Sequence, residues 1–108
     1  MSRRPASADV FLAVADPTRR ALLDQLGRRG EQSVRHLAQR FDMTLSAVSQ
    51  HLRLLRETGL VKVRQVGRER LYQLQPRPLK RIADWIAFYE QFWQQKLDAL
   101  EKHLEKTP

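Results

Sequence analysis

The chain has 108 residues, 20 of them Lys or Arg against 12 Asp or Glu, for a formal net charge of +8 at pH 7. That length holds one domain with one modest core, and no apolar run approaches the ~20 residues needed to cross a bilayer. The absence of cysteine excludes disulfides, thiolate metal sites and a thiol nucleophile, and fits a reducing cytoplasm.

The opening MSRRPASAD has two arginines with no apolar run behind them, so no signal peptide is expected. Residues 1–6 carry no periodicity and are expected to be disordered. Val10, Phe11 and Val14 lie at helical spacing and predict a short first helix from Ser7 or Ala8 to Ala15. In DPTRRALLDQLGRRG, Asp16 suits an N-cap, Pro17 the first helical position, and Gly27 or Gly30 the stop. Ala21, Leu22, Leu23 and Leu26 supply the buried side of that second helix.

Ser33 can cap a third helix, VRHLAQRFD, with Val34, Leu37, Ala38 and Phe41 inward. Asp42 and Met43 make a tight turn. Thr44 then caps a fourth helix that buries Val48, Leu52 and Leu55 and stops at Gly59. LVKVRQV alternates, Gly67-Arg68-Glu69 reads as a hairpin turn, and RLYQLQ returns as a second strand. Pro76 and Pro78 end it. No Gly or Pro follows from Leu79 to about Lys106, which predicts one helix ~40 Å long.

The order is α-α-α-α-β-β-α, mainly α with a small β-hairpin. Two short helices joined by a tight turn and followed by a basic hairpin make a winged helix-turn-helix. The expected division is a DNA-binding region over 7–76 and a C-terminal dimerisation helix over 77–108, within a single domain. Charge follows the same division. Residues 1–82 hold 17 Lys+Arg against 7 Asp+Glu, and residues 83–108 hold 3 against 5. A basic body beside a mildly acidic tail suits a polyanion-binding surface next to a separate interaction element, or a merely arginine-rich solvated face.

The recognition helix, 44–58, must pack on the domain with its rear and admit a major groove at its front. Short hydroxyls at Thr44, Ser46 and Ser49 allow close approach. Gln50 can reach base edges, including the paired donor and acceptor of adenine, and the helix N-terminus favours a phosphate. No acid appears until Glu57. Arg53, on the exposed side, is a candidate phosphate contact. The plainer alternative is that Ser and Thr only cap the helix and solvate its outside. In the wing, 61–75, Arg64, Arg68 and Arg70 are candidates for phosphates or the minor groove, against the alternative of a solvated basic hairpin.

On DPTRRALLDQL, LAQRF and TLSAVSQHLRLLRETGLVKVRQVGRERLYQL, the chain resembles the ArsR/SmtB family of winged-helix repressors over roughly residues 9–75. The resemblance implies a homodimer on a palindromic operator, released when an effector binds. It places His51, in the family's SxHL pattern, at the DNA backbone or in a structural role. Where the family often has glutamine this chain has Leu45, which can touch a thymine methyl or tuck inward. Metal-sensing members carry a cysteine pair in the third helix, or a D-x-H with a distant H-x-x-E in the last. Here the third helix has no cysteine, and the positions matched to Asp84 are Ile86, Leu97 and Leu100. Isolated His36, His51 and His103 make no ligand cluster, so no metal or other cofactor is expected and any effector is unidentified.

In the last helix Leu79, Ile86, Trp93 and Leu100 repeat every seven residues, with Ala83, Leu97 and Leu104 on that side and Trp85, Phe88, Tyr89 and Phe92 widening it. A helix apolar over more than half its circumference is buried on two sides. Leu79, Ile86, Tyr89, Trp93, Leu97 and Leu100, joined by Val10, Phe11 and Val14, are therefore candidates for a homodimer interface. Alternatively the aromatics belong to the protomer core, or line a pocket for an apolar effector. An enzyme is not expected, since no paired carboxylates or nucleophile–base pair are evident. The rival function is a winged helix used for protein contact or for non-specific nucleic-acid binding, and sequence-specific duplex binding separates the two.

Overall fold

Four side chains set the helix starts. In the computed structural model, which describes residues 9–106, each accepts a backbone N–H of the turn it opens. Asp9 accepts from Phe11 at 2.8 Å and Asp16 from Arg19 at 2.9 Å. Ser33 accepts from His36 and Thr44 from Ala47, both at 3.1 Å. These caps satisfy N–H groups the helices cannot pair themselves, and they open α1 (Val10–Ala15), α2 (Pro17–Arg29), α3 (Val34–Arg40) and α4 (Leu45–Glu57). The disorder expected for residues 1–6 lies outside the described residues.

Two glycines divide the roles that α2's sequence left open. Gly30 ends the helix with φ +82°, a conformation glycine adopts without strain. Gly27 lies inside α2, where a Cβ would stand 3.2 Å from Leu74 Cδ2; its lack of a side chain lets the helix approach the sheet. α3 is shorter than expected. It stops at Arg40, Phe41 caps it, and Asp42 turns the chain with φ +51° before α4.

The sheet has three antiparallel strands: β1 (Gln32–Ser33), β2 (Val61–Val66) and β3 (Glu69–Leu74), in the order β1-β3-β2. Val66 pairs with Glu69, so the hairpin turn is Gly67-Arg68 alone and Glu69 belongs to the strand. The two-residue β1, absent from the expected order, pairs Gln32 with Tyr72 and Ser33 with Leu71. A 3₁₀ turn at Arg77–Leu79 leads into α5 (Lys80–Lys106).

The core is formed by Leu22, Leu26, Leu37, Val48, Leu52, Leu55, Leu60 and Val61, all at most 2 % exposed. Leu22, Leu26, Leu37, Val48, Leu52 and Leu55 come from the apolar stripes of their helices, and Leu60 and Val61 from the root of the hairpin, so α2, α3, α4 and the hairpin share one interior. Leu79 and Ile82 at the root of α5 pack against it. Beyond them α5 projects, and it contains no buried residue. The radius of gyration is 18.9 Å, against ~13 Å for a compact chain of this length. Among the described residues no helix is long and apolar enough to cross a membrane.

Part of the basic excess is structural. Arg19 donates to the carbonyls of Ala13 (2.8 Å) and Leu12 (2.9 Å), and Arg20 to those of Val14 (2.7 Å) and Ala15 (3.2 Å). These guanidinium groups cap the C-terminal end of α1, where carbonyls are left unpaired.

Candidate nucleic-acid interface

The packing of α4 leaves one face to solvent. Val48, Leu52 and Leu55 are 0 % exposed, whereas Thr44, Leu45, Ser46, Ser49, Gln50 and Arg53 are all exposed. The first two turns therefore present short hydroxyls and an amide with no carboxylate among them. Thr44 Oγ1 already accepts the Ala47 N–H, but its own O–H stays available to donate. Arg53 stands over Glu57, with Nε 3.3 Å from Oε1. Leu45 is 47 % exposed, so it does not tuck into the core.

His51 departs from the expected set. It is half-buried, and its Nδ1 stands 4.0 Å from Asp16 Oδ2 at the start of α2. The imidazole faces its own domain rather than the exposed front of α4, and it bridges two helices. The Arg19 backbone N–H, with help from the Arg19 and His51 side chains, holds the Asp16 carboxyl below its ordinary pKa.

The wing's charges are sorted by strand alternation, since neighbouring residues of a strand point to opposite faces. Buried Val61 and Tyr72 fix the inner face. Gln65 and Arg70, paired across the hairpin, share that parity and turn toward α4. Together with Val34, Arg35, Leu45, Ser49, Arg68 and Glu69 they line a cleft of about 310 Å³ between the recognition helix and the wing. Arg68 sits in the turn at the wing tip.

Arg64 has the other parity and does not join them. Its Nε and Nη2 donate to Glu31 Oε2 and Oε1 at 2.8 and 2.7 Å. That hydrogen-bonded fork holds the Glu31 carboxyl below its ordinary pKa and raises that of the Arg64 guanidinium. Arg64, expected as a wing contact for nucleic acid, thus stands apart from Arg68 and Arg70, with its guanidinium paired to Glu31 within the protomer.

Arg35 and Gln65 were not singled out from the sequence, yet they line the cleft. Both were findable. Gln65 keeps the parity of Val61 and Val63, and Arg35 is the second residue of a helix whose Leu37 and Ala38 turn inward.

The interface residues expected on α1 and α5 divide in two. Val10 is 2 % exposed and lies within the core of its own protomer, so it has no surface left for a partner. Phe11, Val14 and Leu79 are half-buried and pack on that core, and Ile86 is half-buried as well. Tyr89, Trp93, Leu97 and Leu100 are exposed, and so are Trp85, Phe88, Phe92 and Leu104. The aromatics therefore do not belong to the protomer core. Phe11 and Trp85 meet edge to face with centroids 5.7 Å apart, which joins α1 to the root of α5. Among the described residues no three His, Asp or Glu side chains come together as a metal site would need.

A profile describing a helix-turn-helix domain matches residues 14–64. The chain is 38% identical over 85 residues to an HTH-type transcriptional regulator of Mycobacterium tuberculosis, covering 79% of this chain and 76% of that protein. It is 33% identical over 101 residues to the arsenical resistance operon repressor of Escherichia coli, covering 90% and 83%. An ArsR-like transcriptional regulator from Rhodococcus sp. RHA1 superposes with a TM-score of 0.70 at 34% identity, covering 94% of this chain and 92% of that one. With its capped helix pair, three-stranded wing and long last helix, the chain belongs to the ArsR family of winged helix-turn-helix transcriptional regulators, which bind DNA and are not enzymes.

Proposed function

We propose that the protein is a homodimeric repressor that reads a two-fold operator, with α4 in the major groove and the wing along the adjacent backbone. The observation that carries this reading is the front of α4: Thr44, Leu45, Ser46, Ser49, Gln50 and Arg53 exposed on a helix whose rear is fully buried. The short hydroxyl side chains of Thr44, Ser46 and Ser49 let a helix into the groove. Gln50 can pair with the N6 and N7 of adenine, and the Leu45 side chain can meet a thymine methyl. Arg53 and the cleft arginines Arg35, Arg68 and Arg70 supply phosphate contacts, which set affinity and orientation.

A second copy supplies the symmetry. Of the eleven large hydrophobic side chains exposed among the described residues, eight lie on α5, a concentration that marks an interaction surface. Pairing α5 with its copy, with Phe11 and Val14 at the edge, buries that face and sets two recognition helices about one duplex turn apart, ~34 Å. Repression is the activity named for the E. coli relative; a repressor works where the genome is, which on this reading is the cytoplasm.

The test is a fluorescence-anisotropy titration against the DNA upstream of its own gene and a scrambled duplex, across salt, with stoichiometry from analytical ultracentrifugation. A large preference for the upstream duplex with two protomers per site is the expected result. Equal, steeply salt-dependent binding to both duplexes, or no binding to either, would replace this reading with a non-specific nucleic-acid or protein-contact module.

A further inference from the structure

The Glu31–Arg64 pair lies where the wing leaves the body of the domain. β1 supports β3 only through Gln32↔Tyr72 and Ser33↔Leu71, and Leu71 is the partner of Arg64 on β2. Beyond that rung, from Gln65 to Arg70, the hairpin has no third strand beside it. Arg64 projects from β2 at the edge of the sheet and reaches across β3 to Glu31, the residue before β1. One side-chain pair thus spans the sheet at the last supported rung.

Its geometry is that of a clamp. The two hydrogen bonds, 2.7 and 2.8 Å, form the parallel fork between guanidinium and carboxylate, which fixes orientation as well as distance. Glu31 is held on its side: its side chain is 22% exposed against 65% for Arg64, and Gly30, with φ +82°, sets the turn that delivers it.

Resting on the reading of α4 and the wing as a duplex-binding face, we propose that Glu31 is a positioning residue for specificity. Through Arg64 it pins the wing at its hinge, which aims Arg68 and Arg70 at the backbone. It also withholds the Arg64 charge from the phosphates, so that sequence-independent affinity stays low relative to operator affinity.

The two partners then give opposite signatures when removed singly. Arg64→Gln loses the pin and frees no cation, leaving the Glu31 carboxylate without its partner. Operator affinity should fall by roughly threefold, the scale of one exposed ion pair, and the salt slope should stay that of wild type. Glu31→Gln loses the same pin and frees Arg64. Binding to scrambled duplex should tighten, the slope should steepen by about 0.9, and preference for the operator should shrink. Hydrogen exchange without DNA should show both variants losing protection at the amides of Gln65 to Arg70.

If Arg64→Gln instead flattens the slope by about 0.9 while Glu31→Gln leaves it unchanged, Arg64 is a phosphate contact and the proposal fails. Unchanged wing exchange in both variants also overturns it. A wild-type protein that binds no duplex would defeat the DNA reading itself. That is visible before either variant is made and is distinct from the exchange result, which needs no DNA.

Discussion

The recognition helix α4 and the last helix α5 are both amphipathic, but they use their apolar residues in opposite ways. On α4 the residues at helical spacing, Val48, Leu52 and Leu55, are fully buried, and apart from Leu45 and Glu57 the exposed side chains are short, polar or cationic. On α5 no residue is buried, and the outside carries Trp85, Phe88, Trp93 and Leu97. α4 completes its packing within one chain and, on the proposed reading, turns its other face to a polyanion. α5 keeps an apolar seam that one chain does not cover.

The largest effect should come from charging that seam. Trp93→Asp with Leu97→Asp places two carboxylates among side chains that are 59% and 58% exposed in the protomer. Neither change touches the core, so the protomer should melt near the wild-type temperature. If each residue is an interface anchor of about 2 kcal/mol, the dimer dissociation constant should rise roughly a thousandfold, and operator affinity should fall with it. Sedimentation showing an unchanged oligomeric state would remove the assignment of α5 to a second copy. The contrasting change is Leu52→Ala on α4. It empties a fully buried site and should cost about 2–5 kcal/mol of stability in thermal or denaturant unfolding, with the protein still dimeric where it is folded.

The division between these helices was legible in the sequence because period and sign both carry it. Val48, Leu52 and Leu55 mark a stripe, and the lack of an acid before Glu57 marks a face. The excess of aromatics on α5 likewise showed that one domain does not cover it. Three features were not legible, each for a physical reason. β1 is two residues long and has no alternation to read; its pairing with β3 is a tertiary fact. Arg64 shares its sign with Arg68 and Arg70, and its partner Glu31 is 33 residues away in sequence. Arg19 and Arg20 were counted in the basic excess, although their guanidinium groups close the end of α1.

On the α4 side, a smaller pair of changes separates reading from holding. Gln50→Ala removes the side chain placed to meet a base edge. It should cost about 1–3 kcal/mol against the best sequence, relax preference at one position in each half-site, and leave the salt slope unchanged. Arg68→Ala removes a charge from the wing tip. It should weaken all duplexes alike and reduce the slope by about one. Titrations of operator and scrambled duplex in a salt series measure both quantities. The same loss and the same slope for the two variants would mean that α4 and the wing do not divide the work in this way.

The smallest expected effect tests whether the rear of α4 is as fully committed to the domain as its front is free. Asp16 caps α2 through the Arg19 N–H at 2.9 Å and stands 4.0 Å from His51 of α4. Asp16→Ala should therefore destabilise the fold by about 1 kcal/mol, the usual worth of an N-cap. The cost depends on pH in a defined direction. The folded carboxyl is held below its ordinary value of 3.8, so its stabilisation is fully present above that value and is lost as pH falls through the folded pKa. Denaturant unfolding at pH 7 and below pH 4 should show the difference between wild type and Asp16→Ala shrinking in acid. His51→Ala should likewise lower stability and leave the salt slope of duplex binding unchanged, because its ring faces Asp16. A flatter slope in that variant would put His51 back on the DNA side and make α4 a helix that meets the duplex on two faces.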